Sequence, residues 1–459
     1  MSYTAMTRRE FIRRCGLLGV TAAAAPLAMK LLAAGEAAAA LSPNDYKALV
    51  CVFLYGGNDY GNTVIPCDSA NYSAYAKIRQ SLAVPLASLA ATALTPSVPL
   101  QDSTYQLALA PQLLPLKPLF DSGRLGVLLN IGTLIQPTTL AQYKAGSVAL
   151  PPKLFSHNDQ QSFWQSSLPE GATSGWGGRL GDLFLSGNGS STFTCINVSG
   201  NAVFMSGQNA VQYQVGPNGA VTLQGINSTL YGSQACSTLL RSLISATSNN
   251  LIEDAHATIM RRSLSANSQI TSALKGVTLK TAFDQANSLA KQLQMVAKLI
   301  AARDLLGCKR QVFFVSLGGF DTHENLTSLH PQLLTAVGNA LASFYTATEE
   351  LGLAGQVTAF TASDFGRTLT SNGGGSDHGW GSHHFVLGGA VKGGRYFGTL
   401  PIIASGGPDD VGQGRLLPTL AVDQLAATLA TWFGASSSDL SLVVPTIRNF
   451  TVRDIGLFG

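Results

Sequence analysis

The sequence FTASDFGRTLTSNGGGSDHGWGSHH, residues 360–384, carries more structural information than any other stretch of the chain. It starts as a buried strand and turns at Ser363-Asp364-Phe365-Gly366-Arg367. It then crosses a glycine-rich loop and ends in Asp377, His378, His383 and His384. The chain has seven histidines, and three of them fall between positions 378 and 384. A strand that runs out into a loop bearing carboxylates and imidazoles is how an α/β protein builds a site at the carboxyl edge of its sheet.

Working outward, other apolar runs have the same form. Residues 48–55 and 125–131 read as central parallel strands, apolar on both faces. Residues 311–317 and 356–361 repeat the pattern, and 386–391 and 401–404 read as shorter strands. Between them lie helical patterns at 72–79, 111–120, 160–166, 282–306, 329–351 and 424–433. This alternation predicts an α/β fold. Residues 185–235 differ, being rich in Gly, Ser, Asn and Thr, with a hairpin signal at Asn218-Gly219. They read as a small β-rich insertion within one domain spanning 41–459.

The first forty residues read as a targeting segment. Arg8-Arg9 precede an alanine-rich apolar run that closes at Ala37-Ala38-Ala39-Ala40, the pattern of a twin-arginine export signal. Pro26 and Lys30 interrupt the run, which argues for cleavage over a membrane span. The expected partner is the twin-arginine export machinery, and the expected location is periplasmic or otherwise exported. Five basic and two acidic residues in this segment supply +3 of the formal +4, leaving +1 for the rest. That balance excludes a nucleic-acid partner. Cys51, Cys67, Cys195, Cys236 and Cys308 show no C-x-x-C spacing and no zinc-knuckle pattern; export leaves a Cys195–Cys236 bridge open.

Three strands end in acidic turns: at Asp59, at Asp321 with His323, and at Asp364. In a parallel sheet these ends share one edge. Carboxylates and imidazoles without thiolates suit a divalent ion such as zinc, manganese or magnesium in a hydrolytic site. Each residue also has a plainer role. Asp59 fits a turn cap, Asp321 a bond to Thr322, and Asp364 a pair with Arg367. Asp377 fits an orienting partner of His378. Ser156 is the candidate nucleophile and equally a helix N-cap, and His157 fits a supporting or turn-filling role. There is no G-x-S-x-G, P-loop or dinucleotide fingerprint.

The segments GGNDYGNTVIP, FSHNDQQSFW, SGWGGRLGD, GGFDTHENL and TASDFGRT…SDHGWGSHHFVLGGAVKGGRYFG resemble the family called domain of unknown function 1501. Its members are bacterial and are placed in the alkaline-phosphatase and sulfatase superfamily. The resemblance implies a three-layer α/β/α sandwich with a mostly parallel central sheet and a metal site at its edge. It assigns metal ligation to Asp59, Asp321, His323, Asp364 and His378, with His384 as a substitute. Ser156 lies near the superfamily's nucleophile, and Phe365 stands where a second histidine ligand is expected. The resulting expectation is an exported metal-dependent hydrolase acting on a phosphate or sulfate ester of a small molecule or polymer. Ser156 attacks, and Arg367 or Lys392 holds the anion. The alternative is a non-catalytic exported binding protein that keeps the fold.

Overall fold

Strand β1 (Lys47–Leu54) shows why the sheet is central. Its side chains alternate between two cores: Ala48, Val50, Val52 and Leu54 pack on one side, and Leu49, Cys51 and Phe53 on the other. A strand with no polar face has to be covered on both sides. The helices Ser288–Ala301 and Leu326–Glu350 cover the first side. The helices His157–Ser166, Trp176–Phe184 and Val422–Phe433 cover the second. The result is the three-layer sandwich expected, seen in a computed structural model that describes residues 45–100, 102 and 104–459. The expected export signal, residues 1–40, lies outside the described residues. Among those residues, no helix is long and apolar enough to cross a membrane.

After β1 come β2 (Val64–Pro66) and β3 (Leu107–Leu109), a separate antiparallel pair, and then β4 (Leu125–Gly132). The segment read as an insertion supplies β5 (Cys195–Asn197), β6 (Tyr213–Gly216) and β7 (Gly219–Ala220). The chain continues through β8 (Arg310–Leu317), β9 (Val357–Ser363), β10 (Ser382–Gly388), β11 (Arg395–Phe397) and β12 (Leu420–Ala421). The main sheet runs β11-β4-β10-β9-β1-β8-β5-β6-β7, with β12 beside β4.

β1 lies between β8 and β9 and is parallel to both. β10 is antiparallel to β9 and β4. The carboxyl ends of β1, β8, β9 and β4 therefore meet the start of β10 at one edge. The 386–391 expectation is corrected: β10 begins at Ser382, which draws His383 and His384 into the sheet. Residues 401–404 form no strand. Pro401 has no N–H to give a ladder, and the Ile402 N–H donates instead to the Asp409 carboxylate at 2.8 Å. β5 extends the main sheet by pairing with β8. The expected hairpin is present as β6–β7, with Gly219 already in the returning strand at φ +123°. None of the five cysteines among the described residues is bridged.

Candidate metal centre

Three histidines converge on Asp321, and each reaches it the same way. His157 begins the His157–Ser166 helix, His323 follows β8, and His378 comes from the glycine-rich loop. The His157 Nδ1 is 2.6 Å from Asp364 Oδ2. The His323 Nδ1 is 3.1 Å from Asp377 Oδ1, and the His378 Nδ1 is 2.8 Å from the Phe155 carbonyl. Carboxylate and carbonyl oxygens accept hydrogen bonds, so each Nδ1 is the protonated nitrogen. That leaves three bare Nε2 atoms facing inward. They lie 3.5 Å from Asp321 Oδ2 (His157), and 3.1 Å (His323) and 3.3 Å (His378) from Oδ1.

The Nε2 atoms of His323 and His378 are 2.9 Å apart. Two lone pairs at that distance repel unless a proton or cation lies between them. One ligand atom from each of His157, Asp321 and His378 lies within 4.8 Å of the others. Metal-ligating imidazoles characteristically tie their second nitrogen to a carboxylate or carbonyl. The donor set therefore fits a divalent cation. The Asp321 side chain is exposed, so the centre is open to solvent.

The surroundings fix this geometry. Arg367 is fully buried and donates to Asp321 Oδ1 at 2.8 Å and to the Gly56 carbonyl at 3.0 Å. Its other donors go to the Ser376 carbonyl. Burial works against the Asp321 carboxylate, but Arg367 and the neighbouring imidazoles offset it and hold its pKa below the usual range. The hydrogen bond to Asp364 raises the His157 pKa. Burial lowers that of His378. Phe155 adopts φ +72°, the left-handed region, which is costly for a non-glycine residue. It turns its carbonyl to His378 while Arg415 lies over its ring at 4.8 Å and donates to the His378 carbonyl at 2.8 Å. Gly375 is needed for close approach: a Cβ there would lie 2.1 Å from the Thr322 carbonyl oxygen.

The structure brings together Asp321, His323 and His378 as anticipated, with Asp364 one bond away through His157. It does not bring Asp59 or His384 to the cluster. The Asp59 carboxylate forms a buried ion pair with Arg79 and accepts the Gly61 N–H at 3.2 Å, the turn-capping role. His384 is buried in the sheet, with Nδ1 3.1 Å from Thr361 Oγ1 and its ring edge-on to Trp164. Burial lowers its pKa to about 3. The Ser156 hydroxyl donates to Asp159 Oδ2 at 2.9 Å. Arg367 spends its donors on holding Asp321 and the loop.

Asp377 orients His323 and not His378. Gln161 was missed. Its Nε2 donates to Asp364 Oδ2 at 2.7 Å. The i,i+4 spacing of His157 and Gln161 puts both on one helix face, and that spacing was the available signal. Phe365, which stands where a second histidine ligand was expected, packs its ring 4.9 Å from His157 and 4.7 Å from His378.

A family model described as "Protein of unknown function (DUF1501)" matches residues 46–441. No curated protein matches the chain. Among solved structures it is similar to the PsFucS1 sulfatase from Pseudoalteromonas sp., at 10% identity and TM-score 0.35, covering 94% of this chain and 77% of that one. It is also similar to the lipoteichoic acid synthase LtaP from Listeria monocytogenes, at 8% identity and TM-score 0.33, covering 91% and 81%. A mutant of the alkaline phosphatase PafA matches at 12% identity and TM-score 0.29, covering 72% and 64%. Similarity at this level assigns no residue a role.

Proposed function

The chain belongs to the DUF1501 family of proteins of unknown function, and within it we propose an exported, metal-dependent hydrolase that acts on a phosphate or sulfate ester. The observation that carries this reading is the inward convergence of the His157, His323 and His378 Nε2 atoms on the open Asp321 carboxylate. The His157 and His378 imidazoles with the Asp321 carboxylate, and His323 beside them 3.1 Å from Asp321, favour zinc over magnesium, which prefers an all-oxygen shell. When bound, the ion supplies a Lewis acid for the ester oxygen. Export rests on Arg8-Arg9 and the alanine-rich run after them.

The chain's own residues set up the rest. Ser156 sits between Phe155 and His157, both tied to the centre. Its hydroxyl donates to Asp159 at 2.9 Å, so a base already lies within reach of the candidate nucleophile. Lys153 lies 3.7 Å from the far oxygen of Asp159. Asp364 holds the His157 tautomer and Asp377 holds that of His323. Phe365, packed against His157 and His378, offers no ligand atom where a second histidine would stand, which supports a single ion.

A second reading, a non-catalytic exported protein that uses the centre to hold a ligand, is favoured by the full burial of Arg367. That cation has no free donor face for an anion. The two separate in an assay of aryl phosphates and aryl sulfates with zinc, using Ser156→Ala and Asp321→Ala as controls. The hydrolase reading expects turnover that both substitutions abolish. Absence of turnover, or turnover indifferent to both, contradicts it.

A further inference from the structure

A polar groove of about 410 Å³ lies beside the centre, a volume within the usual range for small-ligand sites. Its lining includes Tyr55 from the end of β1, Asn158, Gln161 and Gln165 from the His157–Ser166 helix, and Asn201 and Glu170 from the loops. The groove and the centre share a side chain. Gln161 lines the groove and donates to Asp364 Oδ2 at 2.7 Å, the same oxygen that receives the His157 Nδ1–H. Asn158 follows His157 directly in sequence.

The lining chemistry is specific. The exposed carboxamides of Asn158 and Asn201 offer both donors and acceptors, while Gln161 and Gln165 each have one end engaged, by Asp364 and by the Phe204 N–H. Tyr55 adds an aromatic ring and a hydroxyl that burial, partly offset by a hydrogen bond from Gln165, pushes up to about 12, so it stays neutral. None of the lining residues is Lys or Arg, and the ionised group among them is Glu170. Lys153, 3.7 Å from Glu170, is shared with Asp159 at 3.7 Å. A polyphosphate or heavily sulfated chain would find a carboxylate there and no free cation. A run of hydroxyls, each a donor and an acceptor, matches the amides.

We infer that the groove binds the neutral, hydroxyl-rich part of the substrate, a sugar or oligosaccharide, with its ester group at the centre. The orientation of that ligand rests on the ester-hydrolase reading; the groove's preference does not.

The test is calorimetric titration of the folded protein with maltohexaose, cellohexaose and chitohexaose, and with heparin as the polyanion. It is repeated on the Asn158→Ala/Asn201→Ala double variant, changed at two exposed positions, with melting curves to confirm folding. At least one neutral hexasaccharide binds, heparin does not, and the Asn158→Ala/Asn201→Ala double variant loses about tenfold in affinity. The inference is overturned if no neutral hexasaccharide binds, if heparin binds more tightly, or if the double variant binds as well as the parent. Binding needs no turnover. Oligosaccharide binding without ester hydrolysis sinks the hydrolase reading and keeps the groove. Aryl ester hydrolysis without oligosaccharide binding does the reverse.

Discussion

The Nε2 atoms of His323 and His378 face each other at 2.9 Å, and each ring already donates its Nδ1–H to an outside acceptor. The pair is stable only with a positive charge between the rings or on one of them. The Asp321 carboxylate, 3.1 and 3.3 Å from the same two nitrogens, is placed to share that charge. This local arrangement predicts how the outer residues act.

Asp364→Asn and Asp377→Asn touch no inward-facing nitrogen, yet each disturbs the tautomer of a ligand. Each should weaken zinc binding about 10–100-fold, measured by competition with a chelating dye. His157→Ala removes a ligand outright and should weaken it more. Equal affinity in Asp364→Asn and the parent protein would contradict the orienting role.

Asp59→Ala separates stability from the site. It leaves Arg79 buried without its carboxylate, a loss of about 3–5 kcal/mol for a broken buried pair. Urea unfolding should show a lower midpoint, while zinc stoichiometry in the folded protein stays the same. Loss of zinc from a well-folded Asp59→Ala protein would place Asp59 in the centre after all.

His330 gives a pH dependence away from the centre. It is fully buried, with Nε2 3.0 Å from Asn58 Oδ1, and burial lowers its pKa from 6.5 to about 4. Above pH 6.5 the ring is neutral in both the folded and unfolded states, and its contribution is complete. As pH falls from 6.5 towards 4 the unfolded chain takes up a proton that the folded chain refuses, so stability is lost at up to ~1.4 kcal/mol per pH unit. His330→Gln should flatten this slope in denaturant melts between pH 7 and pH 4. An unchanged slope would mean that the acid sensitivity lies elsewhere.

Gly366→Ala tests the turn that carries Arg367. A Cβ there would lie 1.9 Å from the Gly381 carbonyl oxygen, a backbone atom that cannot rotate away. The expected loss is about 1–3 kcal/mol or more, seen as a lower melting temperature. A variant that melts with the parent would show that the two turns are not held as described.

Much of the fold was legible because the central strands are apolar on both faces and end in recognisable turns. β1, β4, β8 and β9 could be placed from periodicity and β-branching alone. β10 was set too late because the polar Ser382-His383-His384 hides its first turns; their partners, Thr361 and Asn130, are contributed by neighbouring strands. At the centre, Asp321, His323 and Asp364 were legible as groups at strand ends, and His378 as part of the histidine cluster that closes the glycine-rich loop. Asp59 was misjudged because sequence cannot show Arg79, twenty residues on, closing over the same turn. His157 was undervalued for a similar reason: its role depends on the unusual backbone of Phe155 and on a carboxylate from a distant strand.

The most direct test of the centre is metal analysis of the purified folded protein, paired with melting curves before and after chelation. The account predicts about one divalent ion per chain, zinc in preference to magnesium, a lower melting temperature on chelation, and loss of both the ion and the shift in a His157→Ala/His378→Ala variant. A protein that binds no divalent ion and melts identically with added zinc or with chelator would contradict it.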